Sequence, residues 1–197
     1  MAADLKPDLV FAQVAGEQFD EYVHVEVLYY PIGAVAGMQM PQLTIGIWLE
    51  TLWRLKTFAA ALDAAQQATV DKAFARVQRV RSRALELYRQ KARREFKSRL
   101  DTWAWYLDDI LGRPEPRAGG PETVPPEGQA YATQVHVRFK LELLNGDVSQ
   151  MQDQAARLSA SDRRLQARFT PGAFIWDAEL APHLPADTYW WLYGRPH

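Results

Sequence analysis

Glu21 and His24 stand at the Glu-x-x-His spacing that helices of carboxylate-bridged di-iron bundles present to a metal. Such a centre needs a second copy of the motif and two further carboxylates. This chain has one copy, in a segment (YVHVEVLYY, 22–30) that reads as extended, so no metal site is expected there. His136, His183 and His197 are isolated, and none has ligand spacing with a second histidine. The absence of cysteine removes thiolate ligands, disulfides and a thiol nucleophile. No Gly-x-Ser-x-Gly, Walker or dinucleotide-binding pattern occurs. Gly33-Ala-Val-Ala-Gly37 lacks the third glycine and a following acid, and reads as a turn. The sequence therefore predicts no catalytic residue, no cofactor and no metal.

Charge is the stronger signal. Between Lys72 and Arg99 stand eleven Lys/Arg and two acids, Glu86 and Glu95. That segment carries +9 in a chain of net charge −1, so the remainder carries −10. At about 100° per residue, Lys72, Arg76, Arg79, Arg83, Arg94 and Lys97 fall in one sector of a continuous helix, opposite its apolar face. Such a row can meet the chain's own acids (residues 1–30 hold six Asp/Glu against Lys6 alone), an acidic protein or membrane surface, or phosphates. Arg81 and Arg99 project toward the apolar side. There they are expected to pair with carboxylates, because an unpaired buried charge is costly, or else to line an anion pocket. Asp101 and Asp108 lie two turns apart near a helix C-terminus, where the macrodipole disfavours acids. They are expected to be compensated by Arg113, Arg117 or another helix.

Aromatic residues mark the remaining candidate contacts. Trp103 and Trp105 are about 200° apart on a helix, so Trp105 faces away from the core that takes Trp103. Tyr189, Trp190, Trp191 and Tyr193 crowd one short stretch. They are expected to dock on the chain's own helices and cover surface such as Trp105, or to form an oligomer or partner interface.

The elements that must position these groups read as helices. From Ile47 to Leu111 there are sixty-five residues without Gly or Pro. One helix of that length would span about 95 Å, so a break is expected at Gln66–Thr69, with Thr69 as the following cap. Helix Leu43–Ala65 would then precede one long helix over 70–111, capped by Gly112. Residues 112–128, with five prolines and four glycines, read as a long flexible surface loop. Residues 130–144 alternate like a strand, yet they carry two apolar stripes at helical spacing, and helix is favoured. Helix continues over 147–168, with breaks expected near Asn145-Gly146 and Ser159–Ser161. The tail from Thr170 reads as an extended aromatic strap, and the N-terminal segment as irregular.

The expected fold is a single mainly α domain over 1–197, an elongated antiparallel bundle around helix 70–111. The alternative is α+β, with a small sheet pairing 22–30 and 135–143. No apolar run is long enough to span a bilayer, and the acidic N-terminus lacks the pattern of a signal peptide. A soluble, cytoplasmic protein follows as the default.

In function the leading expectation is a non-enzymatic interaction or scaffold protein, with an acidic protein partner or a homo-oligomer. A second is a small-ligand protein or enzyme with a pocket between helices, which a roomy cavity with convergent polar groups would favour. A third is a nucleic-acid-binding module using the basic stripe of helix 70–111, which cations left free of intramolecular acids would favour. The pI of about 6.4 weighs against the last.

Overall fold

The computed structural model describes residues 4–112, 129–146 and 151–197. The fold is mainly α, with six α-helices and two small two-stranded antiparallel sheets among the described residues. The helices are α1 Lys6–His24, α2 Ile45–Thr57, α3 Ala64–Arg83, α4 Leu85–Leu111, α5 Gln129–Asn145 and α6 Gln152–Gln166. Strands β1 Ala34–Val35 and β2 Met38–Gln39 form one sheet, and β3 Phe169–Phe174 and β4 Tyr193–Pro196 the other. No helix among the described residues is long and apolar enough to cross a membrane. The chain divides into two compact units, Met1–Phe96 with Glu142–Ser149, and Lys97–Leu141 with Gln150–His197.

Several sequence expectations are corrected. The N-terminal segment is not irregular: α1 occupies it and buries Phe11, Ala15, Phe19 and Tyr22 on one face. Neither 22–30 nor 135–143 is a strand of a common sheet. Residues 22–24 end α1, Tyr30 bridges Leu43, and 135–143 lie within α5. The second apolar stripe of 130–144 thus decides for helix, as the burial of Val135, Phe139, Leu141 and Leu144 requires.

The break after α2 comes earlier than Gln66. Thr44 caps α2 by accepting from the Ile47 N–H at 3.1 Å, and a 3-10 turn at Ala59–Ala61 follows. Asp63, not Thr69, caps α3. It accepts from the Gln66 N–H at 2.8 Å while the Gln66 side chain accepts from the Asp63 N–H at 2.9 Å. This reciprocal box satisfies two amide donors where a lone threonine satisfies one. Thr69 sits inside the helix, its hydroxyl donating to the Ala65 carbonyl.

Helix 70–111 is not continuous either. It breaks at Ala84 (φ −121°, ψ 43°) between α3 and α4. Alanine is the best helix former, so packing on either side sets this break, not local propensity. The expected helix end at Gly112 holds, with φ 75°. Beyond Gly112, the expected loop lies outside the described residues.

In the first unit α1 packs chiefly on α3 and also on α2. The approach is close at Gly16, where a Cβ would stand 3.0 Å from both the Cα and the Cβ of Ala73. The Phe19 ring meets Tyr22, Trp48 and Tyr88 at centroid distances of 5.6, 6.0 and 6.3 Å. Two charged groups sit in this unit's interior. Glu95, fully buried, accepts from the Gly46 N–H with both carboxylate oxygens (3.1 and 3.0 Å) at the start of α2. Lys91, 3% exposed, donates to the Val27 carbonyl at 2.6 Å and stands 4.3 Å over the Tyr22 ring. Burial, chiefly, pulls its pKa down to about 8, with the Arg94 charge adding to the effect.

In the second unit the tail is not an extended strap. It folds back so that β4 pairs with β3, in a register that slips between Pro171 and Phe174. Trp191 and Leu192 are buried. Arg138 of α5, 4% exposed, binds Asp162 of α6 through Nε and Nη2 (3.0 and 2.9 Å) and lays its guanidinium 3.9 Å over Trp191. The Tyr131 hydroxyl donates to the Trp191 carbonyl at 2.8 Å, and the Trp176 indole donates to the Ala132 carbonyl at 2.9 Å. Three segments of sequence therefore converge on α5.

Candidate functional site

Helix α3 buries Val70, Ala73, Val77 and Val80. A neighbouring face, centred about 110° away, presents Lys72, Arg76, Arg79 and Arg83, which lie within about 60° of one another and extend for roughly 16 Å along the axis. The predicted row is therefore real within α3. Arg94 and Lys97, also exposed, stand on α4, and the break at Ala84 interrupts the helical phase that would have joined them to it.

The row is partly neutralised from within. Packing of α1 on α3 brings Glu17 to 3.4 Å from Arg76. Lys72, Arg79, Arg83, Arg94 and Lys97 form no ion pair among the described residues. Elsewhere the chain pairs its arginines readily: Arg54 with Asp8 at 3.0 Å, Arg138 with Asp162, Arg157 with Asp101 and Arg164 with Asp108. The acids of residues 1–30 thus meet the helix carrying the row at one member, Arg76, and Asp8 is taken by α2.

Of the two candidate anion contacts, Arg81 belongs to the first unit and Arg99 to the second. Arg81 lies over the Tyr88 ring, 5.0 Å from its centroid, across the α3–α4 break. Arg99 is 8% exposed on α4.

Asp101 and Asp108 find their compensation on another helix. Arg157 reaches Asp101 at 2.7 Å, and Arg164 reaches Asp108 at 2.7 Å and the Gly112 carbonyl at 3.2 Å. Both partners advance by seven residues, so α6 runs parallel to α4 along this ladder. The second arginine also serves the carbonyl end of α4, where a cation is favourable.

The aromatic candidates separate. Trp105 is 65% exposed, so the C-terminal segment does not cover it. That segment packs elsewhere in its own unit. Tyr189 meets Phe139 (6.1 Å), Trp190 meets Phe169 (5.2 Å), Trp191 sits under Arg138, and Tyr193 meets Phe174 (5.1 Å). The Tyr193 hydroxyl donates to the Leu184 carbonyl at 2.8 Å. His24 turns back to the Asp20 carbonyl at 2.8 Å from the last turn of α1, and His136 stacks on Trp176 at 4.1 Å.

An open cleft of about 490 Å³ lies beside β3 and β4, walled largely by Pro171, Gly172, Ala173 and Gly194, with Arg195 its one charged lining group. Tyr131, Thr170 and Arg195 are its polar lining residues. Sequence reasoning missed the exposure of Val27 (50%), Leu85 (37%) and Leu87 (40%). The break at Ala84, which no residue type announces, leaves the last two at a helix junction.

Comparison with family models, with curated proteins and with solved structures finds no match for this chain.

Proposed function

We propose that this chain is a non-enzymatic interaction protein that meets an acidic protein partner through the cationic face of α3. The observation that carries the reading is the contrast in pairing. Arg54, Arg76, Arg138, Arg157 and Arg164 each hold a carboxylate, while Lys72, Arg79 and Arg83 are exposed without an ion pair among the described residues. An unneutralised row of like charge repels itself and is relieved by an anionic surface.

The same free cations favour a nucleic-acid backbone as a second reading. Two facts weigh toward protein. The chain as a whole is slightly acidic, and the row carries no aromatic on which a base could stack.

Binding of polyglutamate and of a random DNA duplex at about 150 mM salt, each measured for the native chain and for Lys72→Glu/Arg79→Glu/Arg83→Glu, tests the reading. Polyglutamate should bind, weaken with added salt and be lost in the triple variant. Tighter binding of the duplex, lost in the same variant, replaces this reading with the nucleic-acid one. Binding of neither makes the row an ordinary solvated face.

A further inference from the structure

The α3–α4 junction combines free cations with exposed aliphatic side chains. Leu85 and Leu87 open α4 at 37% and 40% exposure. Lys91, one turn beyond Leu87, donates to the Val27 carbonyl, and this bond holds Val27 (50% exposed) beside the same stretch of helix. Arg94 is two turns from Leu87 on the same face, and Arg83 ends α3 two residues before Leu85. Neither arginine has an ion pair among the described residues. Of the acids nearby, Glu86 is taken by Arg89 at 2.9 Å, and Glu26 is exposed next to Val27.

We infer that this junction is a docking surface for an acidic amphipathic helix of a partner protein, resting on the reading of the α3 row given above. Leucines on such a helix would cover Leu87 and Val27, and its flanking carboxylates would meet Arg83 and Arg94. Charge complementarity selects an acidic ligand. The aliphatic centre selects one with an apolar stripe, which neither a phosphate backbone nor polyglutamate offers. A membrane is the poorer fit, because the polar Gln90 and the exposed acid Glu26 stand beside these aliphatics.

The probe is a labelled peptide of about five helical turns with leucines at i, i+3, i+4 and i+7 and glutamates opposite. It is compared with its scrambled sequence, polyglutamate, a random duplex and phosphatidylcholine vesicles containing phosphatidylserine. The amphipathic peptide should bind at least about tenfold tighter than the scramble and polyglutamate. Leu87→Gln and, separately, Val27→Thr should erase that margin while leaving polyglutamate binding and the circular dichroism spectrum unchanged. Arg83→Gln should weaken every acidic ligand. If polyglutamate binds through the arginines but the amphipathic peptide shows no margin, the α3 reading stands and this inference falls. Preference for vesicles or duplex overturns it, and binding of no acidic ligand overturns both.

Discussion

The Gly16–Ala73 contact makes a quantitative prediction about how α1 is held on α3. A methyl added at Gly16 would stand 3.0 Å from two carbons of Ala73, whereas carbon contacts are optimal at about 3.5–4.0 Å. The helices must therefore separate by about half an ångström or more, or bend. Overpacking of this kind costs about 1–3 kcal/mol, and the better helix propensity of alanine returns about 1 kcal/mol. Gly16→Ala alone should lose about 1 kcal/mol. Ala73→Gly alone should lose a similar amount through propensity. The double variant restores the original volume with glycine and alanine exchanged, so the losses should not add. A coupling of at least about 1 kcal/mol is expected, against the few tenths seen for independent sites. Urea unfolding followed by tryptophan fluorescence reads all four chains, with an unchanged m-value as the check that compactness is preserved. Additive losses, or a Gly16→Ala chain more stable than the original with no coupling, would refute the close approach and with it the route by which Glu17 reaches Arg76.

Three other perturbations follow from the same physics. The Lys91 pKa is lowered from 10.5 to about 8, so between those values the unfolded chain binds the extra proton and stability should rise with pH. The Val27 hydrogen bond and the Tyr22 ring, which favour the charged form, limit that gain to about 1–2 kcal/mol. Chemical denaturation at pH 8 and at about pH 10 should detect it, and Lys91→Met should abolish the rise. Gly194→Ala should cost about 2–4 kcal/mol, seen as a fall in melting temperature. Its φ of 142° suits glycine, and a Cβ there would collide with the Thr170 carbonyl and the Phe169 ring. Arg138→Met should cost about 2–3 kcal/mol by stranding Asp162 and unstacking Trp191; a near-ultraviolet circular dichroism spectrum unchanged by the substitution would show that Trp191 does not depend on the guanidinium.

Where residue pattern and burial agree, the sequence was readable. The mainly α class, the helical reading of 130–144, the helix end at Gly112 and the need of Asp101 and Asp108 for basic partners all followed from periodicity and the macrodipole. Helix α1 was masked by Val23, Val25 and Val27 through Tyr30, a β-branched and aromatic run that suits a strand. Its true signal was the four-residue spacing of Phe11, Ala15 and Phe19. The Asp63–Gln66 box was legible as a pattern, an acid three residues before a glutamine, with Thr69 a competing cap residue nearby. The break at Ala84 was not legible, since tertiary packing overrides the propensity of the best helix former there. For the candidate surface, the residue types of the α3 row could be read in advance. Which of them the chain neutralises could not, because Glu17–Arg76 depends on a helix the sequence did not reveal.

The bond from the Tyr131 hydroxyl to the Trp191 carbonyl spans sixty residues of chain. Translation proceeds at about 5–20 residues per second. Helix α5 therefore emerges roughly 3–12 s before the segment that accepts its tyrosine and roofs its buried arginine. During that interval the Tyr131 hydroxyl and the Arg138 guanidinium face lack the partner that Trp191 supplies. The second unit can therefore close fully only once β4 has been made.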